Sequence, residues 1–261
     1  AGYAQTSRST AGPFDGLHLG RGSWRRSLPL GGDAVLVMKI LILMDVFHTM
    51  NGAERLSVQL AEGLNRRPGM RADIASMYTA DMGGHREAME QLRGRGIETF
   101  HFLGLKVHPD PVSFARAILR LRRILREGDY DVVETYTVTP AIAASWATRG
   151  LKARLVGGLH HAYEMSEHNG MRHKVWRFSV RSNRRARFYA ISEFVRRCWV
   201  EYSGTKASLT RTVFNGIPDE FFEATPARDE VRAEFGIPAT ARIALFVGSI
   251  VRYKGVDVAL E

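Results

Sequence analysis

A histidine pair, His160-His161, sits directly behind the apolar run Arg154–Leu159. Imidazole donates or accepts a hydrogen bond near neutral pH, which suits a sugar hydroxyl or a phosphate. Adjacent histidines rarely converge on one ion and no further ligand cluster accompanies them, so no metal site is expected. A second candidate lies behind the first apolar run, in His48-Thr49-Met50-Asn51-Gly52-Ala53-Glu54. Gly52 lets the backbone approach a ligand closely, at a helix start whose unpaired N–H groups favour anions. A third is Phe246-Val247-Gly248-Ser249-Ile250-Val251-Arg252-Tyr253-Lys254-Gly255. Glycine for close approach, an arginine that forks to phosphate oxygens and a lysine point charge together make a sensible diphosphate site. On the residues alone, plainer readings stay open: a solvated loop histidine, an ordinary strand–helix turn and a basic turn. The glycine-rich dinucleotide fingerprint, its acidic ribose partner and the Lys-bearing phosphate loop are absent, which argues against a nicotinamide-dependent oxidoreductase.

A fourth segment is basic. Arg172, Lys174, Arg177, Arg181, Arg184, Arg185 and Arg187 occur with no acidic residue among them, interleaved with Val175, Trp176, Phe178 and Val180. A basic helix with aromatics suits an anionic lipid surface, and cations alone can track nucleic-acid phosphates. A solvated face with its apolar side in the core has the same composition. A second basic helix adds Arg116, Arg120, Arg122, Arg123 and Arg126. The whole chain of 261 residues carries a formal net charge of +10, which calls for a polyanionic neighbour. Nucleic acid is the least favoured of these partners.

The elements that must position these residues follow from periodicity. Lys39–Asp45 is a short continuous apolar run, as in a strand buried on both faces of a parallel sheet. Helical spacing appears over Ala53–Asn65, through Leu56, Leu60 and Leu64. Asp73–Tyr78 and Thr99–Leu103 read as strands around a helix over Arg86–Arg95. Ser113–Arg126 is amphipathic, with Phe114, Ile118, Leu121 and Leu125 on one face. Strands over Asp131–Tyr136, Arg154–Leu159, Phe188–Ile191 and Arg211–Phe214 alternate with helices over Pro140–Arg149, Met171–Arg187 and Glu193–Tyr202. That alternation predicts an α/β chain with a Rossmann-like parallel sheet covered by helices on both faces.

A linker with a short charged helix is expected over 226–240. Ile243–Gly248 then reads as a buried strand and Val256–Glu261 as the start of a helix. The domains expected are therefore an extension over 1–37, disordered or non-native, a first domain over 38–225, the linker, and the start of a second domain over 241–261. The longest apolar stretch, Ala34–Met44, is interrupted by Lys39 and is well short of the ~20 residues of a spanning helix. Arg25-Arg26 lacks the clean apolar region and cleavage site of an export signal. The single cysteine, Cys198, excludes an intrachain disulfide and fits a reducing compartment. A cytoplasmic protein, peripheral at the inner face of a membrane, is the expectation.

Taken in order, these segments resemble family 4 of the retaining glycosyltransferases, with the GT-B architecture, over roughly Met38 to Glu261. Asn51-Gly52-Ala53-Glu54 is similar to that family's GGxE loop, and Leu159-His160 to its strand-ending histidine. Tyr189-Ala190-Ile191-Ser192-Glu193 resembles its a-x-S-e step. Val213-Phe214-Asn215-Gly216-Ile217-Pro218, followed by Phe222, resembles the segment closing the first domain. Phe246-Val247-Gly248 through Lys254-Gly255-Val256-Asp257 resembles the opening of the second.

The resemblance implies an acceptor-binding first domain and a nucleotide sugar held by the second. It implies that Gly52 neighbours the donor phosphates, that His160 contacts the transferred sugar as the catalytic residue, and that Lys254 neutralises the diphosphate without a metal or other cofactor. Gly248, Ser249 and Arg252 join the donor side, while Asn51, Glu54, His161 and Asn215 are acceptor-side or loop candidates. Two positions depart from the family pattern. Asn51 replaces the first loop glycine, and Ser249 stands where the family has a diphosphate-binding arginine, with Arg252 three residues on. The family's paired glutamates would fall beyond residue 261. The expected partners are thus a nucleotide sugar and an envelope glycan or lipid-linked acceptor, with an anionic membrane surface beside them. A non-catalytic module binding anionic lipid or polysaccharide is the alternative.

Overall fold

In the first apolar run alternate side chains serve two different cores, which is why the run has no polar face. The computed structural model describes residues 37–260 apart from 48–51, 83, 162–169, 218, 224–226, 249 and 251–253. The expected extension thus lies, except for Val37, outside the described residues, as do Asn51, Ser249 and Arg252.

β1 (Met38–Met44) sends Leu41 and Leu43 to one face and Ile40, Ile42 and Met44 to the other. The second face is covered by α1 (Gly52–Asn65) and α2 (His85–Arg93), through Val58, Ala61 and Leu92. The first is covered by α3 (Pro111–Glu127), α4 (Val138–Ala147), α5 (Met171–Ser182) and α6 (Glu193–Ser203). Leu121, Leu125, Trp176 and Trp199 anchor this larger core, each worth very roughly 1.5–3 kcal/mol of burial.

The remaining strands are β2 (Met70–Ser76), β3 (Phe100–Phe102), β4 (Val132–Thr135), β5 (Arg154–Leu159), β6 (Arg187–Ala190) and β7 (Thr210–Thr212). All seven form one parallel sheet in the order β3-β2-β1-β4-β5-β6-β7. Strand order reverses at β1/β4, and open α/β sheets bind ligands beyond the strand ends at such a switch point.

Local signals set the element ends. Asp110 accepts from the Ser113 N–H at 2.8 Å while Ser113 Oγ accepts from the Asp110 N–H, and Pro111 opens α3. Ser192 caps α6 by accepting from the Val195 N–H at 3.2 Å. The a-x-S-e step is therefore a helix cap following a strand. The helix predicted over Met171–Arg187 is shorter, because Asn183 leaves helical geometry and its amide donates to Ser145 O and Thr148 Oγ1. Arg184 and Arg185 consequently lie in the turn before β6.

The chain divides into two compact units, residues 1–215 and 216–261. In the second are α7 (Glu220–Glu223), α8 (Arg228–Glu234) and α9 (Val256–Leu260). Buried Arg232 donates to Pro238 O and Ala241 O, stitching α8 to the turn behind it. The strand predicted over Ile243–Gly248 is not formed: residues 241–247 carry no regular element, with Leu245 82% and Val247 83% exposed. A parallel strand is held by ladder partners on neighbouring strands, and no described residue of this unit supplies one.

Candidate functional site

Asp45 follows β1 directly, and its carboxylate Oδ2 accepts from Thr137 Oγ1 at 2.7 Å. Thr137 sits behind β4 at the N-cap position of α4, so this bond joins the two strand ends across the switch point. Burial raises the Asp45 carboxyl above its ordinary value, opposed by the Thr137 bond and by the charge of Arg172. Arg172, in the first turn of α5, also donates to Thr139 Oγ1 at 3.1 Å.

The next strand end carries His160. Burial, with a smaller contribution from His161, lowers its imidazole to about 4, so the ring is neutral at physiological pH. Its ring lies 4.7 Å from that of Tyr136 and 6.3 Å from that of Tyr189, the latter edge-on at 83°. Tyr189 in turn donates to Glu134 Oε1 at 2.7 Å. Burial pushes the Glu134 carboxyl up to about 8, against the lowering effect of the Tyr189 and Tyr136 hydroxyls. Both tyrosines are raised as well, by burial first and by Glu134 second.

His160 and Thr135 line a small pocket with Thr137, Gly157, Leu159 and Trp176. Thr135 Oγ1, Trp176 Nε1 and His160 Nε2 are buried without a hydrogen bond from any described residue. Orphaned buried polar atoms are uncommon and concentrate where a ligand, water or chemistry completes them. Hydrogen-bonding groups lining one pocket at the strand ends can read sugar hydroxyls. Among the described residues no cluster of His, Cys, Asp and Glu could hold an ion.

The other candidates disperse. Gly52 opens α1, is exposed, and has no described residue within 4 Å of where a Cβ would lie, so their packing does not require a glycine there. Glu54 lies in the first turn of α1, with its Oε2 buried and unbonded by any described residue. His161 is exposed behind His160. Asn215 is the exposed last residue of the first unit; Gly248 and Lys254 belong to the second. Gly255 has φ 69°, a conformation that favours glycine.

The basic segment is not one site. Arg172 lies at the strand-end edge, while Lys174 and Arg181 are exposed along α5, and Arg177 lies 5.2 Å over the Tyr202 ring. Arg185 donates to Leu151 O and Lys152 O, just ahead of β5 at the opposite edge of the sheet, and Arg184 is exposed beside it.

The sequence singles out none of Asp45, Glu134, Tyr136 and Thr137, and Tyr189 enters it only within the a-x-S-e step. The available signal was an acidic residue interrupting an apolar strand, in LILMD and in VVET. Only the strand order brings them together.

Comparison with known proteins bears on this arrangement. The model of "Glycosyltransferase Family 4" matches residues 50–221, more than half of the chain. No curated protein matches it in sequence. Among solved structures it is similar to Anabaena Alr3699/HepE in complex with UDP (20% identity, TM-score 0.58, 76% of this chain and 50% of that one). It is also similar to the lipopolysaccharide outer core galactosyltransferase WaaB (12%, 0.54, 69% and 46%). The Neisseria meningitidis UDP-GlcNAc 2-epimerase bound to UDP-GlcNAc shares the fold too (15%, 0.50, 76% and 54%). The chain thus spans about half the length of the structures it matches. Its parallel sheet and helices are those of the glycosyltransferase neighbours, and the family match settles the assignment: the chain belongs to glycosyltransferase family 4.

Proposed function

We propose that this chain is the acceptor-side half of an enzyme that moves a sugar from a nucleotide donor to an envelope glycan or lipid-linked acceptor, with retention of configuration. The observation that carries the reading is the half-buried, neutral imidazole of His160 at the end of β5, beside the β1/β4 switch point. A neutral imidazole exchanges a hydrogen bond with a sugar hydroxyl without placing a positive charge beside a developing oxocarbenium ion. In this reading Gly52 admits the donor phosphates to the start of α1. Gly248, Ser249, Arg252 and Lys254 approach the diphosphate, whose leaving charge Lys254 neutralises without a metal. UDP in HepE and UDP-GlcNAc in the epimerase support a nucleotide-sugar donor.

The test is a transfer assay with labelled nucleotide sugars and isolated lipid-linked acceptors. It compares this chain with one extended through a complete donor-binding domain. Transfer is expected only from the extended protein, with the anomeric configuration kept, and His160→Ala is expected to lower kcat/KM roughly a hundredfold, the scale of one lost transition-state hydrogen bond. Robust transfer by the 261-residue chain, or an unaffected His160→Ala variant, would overturn the reading.

A binding module without catalysis is the competing reading, favoured by the cations and apolar side chains exposed together on α5, where Met171 and Phe178 are 73% and 62% exposed.

A further inference from the structure

We propose that Glu134, Tyr189 and Gly158 form a positioning unit that holds the His160 ring, with Tyr136 as the facing wall. The three residues come from three adjacent strands, β4, β6 and β5. The Tyr189 hydroxyl reaches Glu134 Oε1 at 2.7 Å, so this bond passes over β5, the strand that ends in His160. It can do so because position 158, paired with Tyr189 in the β5–β6 register, has no side chain. A Cβ on Gly158 would stand 2.7 Å from the Tyr189 hydroxyl oxygen and 3.2 Å from His160 Nε2. Alternation along the strand puts residues 158 and 160 on one face. The gap at glycine therefore admits the tyrosine and the imidazole side by side.

The rest of the cage is aromatic. Tyr136 and Tyr189 meet edge to face at 87°, with His160 6.3 Å from Tyr189 and 4.7 Å from Tyr136. Such geometries constrain ring orientation as well as burying area. Glu134 supplies a polar anchor, hydrogen-bonded by the Tyr189 and Tyr136 hydroxyls. It is 3% exposed, in a place where an apolar residue would spare the cost of burying a carboxyl. Its distinctive contribution is the acceptor oxygen that fixes Tyr189. None of these groups needs to touch substrate: they act through His160.

This inference deepens the transferase reading of His160, but its test needs no donor, acceptor or transfer. Histidine is labelled with 15N in the 261-residue chain, and the His160 ring nitrogens are followed between pH 5 and about pH 7, a range set by the ordinary imidazole value. The native ring is expected to stay neutral with a single tautomer. Tyr189→Phe keeps the ring and removes only the hydroxyl. It is expected to mix the tautomers and raise the protonated fraction of His160 at pH 5 severalfold. Glu134→Ala and Gly158→Ala are expected to do the same, whereas Glu134→Gln, which keeps an acceptor oxygen, is expected to retain the native spectrum.

His101, bonded to Tyr130, and His173, bonded to Tyr202, report whether each variant remains folded. Should Glu134→Ala fail to fold, Tyr189→Phe and Glu134→Gln decide. An unchanged His160 in folded Tyr189→Phe, or a Glu134→Gln variant that behaves as Tyr189→Phe does, overturns the positioning unit. If the cage responds as expected but an extended protein transfers no sugar, only the transferase reading falls.

Discussion

The Thr137 hydroxyl spends its hydrogen on Asp45 Oδ2, 2.7 Å away, and does not cap the helix it precedes. A threonine at an N-cap position normally accepts from the first-turn amides; here it ties β4 to β1 across the switch point. Removing the donor leaves a half-buried carboxylate short of a partner, which typically costs about 1–3 kcal/mol. Thr137→Val should therefore lower unfolding stability by that amount in urea titrations, while Thr137→Ser should stay close to native. Equal loss in both would mean that shape, not the hydroxyl, matters at 137.

Glu134 and His160 give stability a pH dependence whose sign can be worked out. The Glu134 carboxyl lies at about 8 in the fold against an ordinary 4.5, so the native state binds more protons across that window and stability falls as pH rises through it. His160 lies at about 4 against 6.5, so the unfolded state binds more protons and stability rises with pH over that span. Between 4.5 and 6.5 the two slopes oppose each other; above 6.5 only the loss from Glu134 remains. Thermal melts should show a near-flat region followed by a decline toward pH 8, at most about 1.4 kcal/mol per pH unit from this one group. Glu134→Gln should flatten that decline, and His160→Gln should leave it in place.

Most of the sheet was legible because its strands are apolar on both faces and its helices are not. Arg154–Leu159 was placed to the residue, and the Leu121/Leu125 stripe of α3 faces the core as its spacing requires. What failed had a tertiary cause. The helix from Met171 stops at Ser182 because buried Asn183 is claimed by Ser145 and Thr148, 38 and 35 residues away. Ile243–Gly248 has the composition of a buried strand, yet composition cannot supply a neighbouring strand. His160 was legible from its place behind an apolar run. The Glu134–Tyr189 pair was not, since the residues are 55 apart and meet only through strand order.

The exposed cations of α5 make a prediction of their own. Lys174 and Arg181 share the solvent side of the helix with Met171 and Phe178, and Arg184 follows in the next turn. Each basic residue near an anionic bilayer contributes roughly 1 kcal/mol. Changing Lys174, Arg181 and Arg184 together to Ser should thus weaken co-sedimentation with phosphatidylserine vesicles on the order of a hundredfold. Native binding should fade as salt rises from about 0.1 M to about 1 M, and neutral phosphatidylcholine vesicles should not bind. Salt-insensitive binding, or an unaffected triple variant, would show that these charges are a solvated face only. No helix among the described residues is long and apolar enough to cross a membrane.

Two glycines separate what the fold needs from what a ligand needs. Gly157 lies in β5 beneath the Phe188 ring, where a Cβ would come within 2.7 Å of Phe188 Cδ1. That ring cannot easily withdraw, being 4% exposed and packed 4.9 Å from Trp199. Gly157→Ala should therefore destabilise the chain by about 1–3 kcal/mol, the usual penalty for overpacking. Gly52 is the opposite case: no described residue lies within 4 Å of its missing Cβ, so their packing tolerates alanine. Gly52→Ala should leave stability unchanged or raise it by up to about 1 kcal/mol. If donor phosphates approach the start of α1, the same substitution should raise the KM for nucleotide sugar in an extended protein severalfold while kcat changes little. A stable Gly52→Ala variant with native KM would remove this position from the donor site.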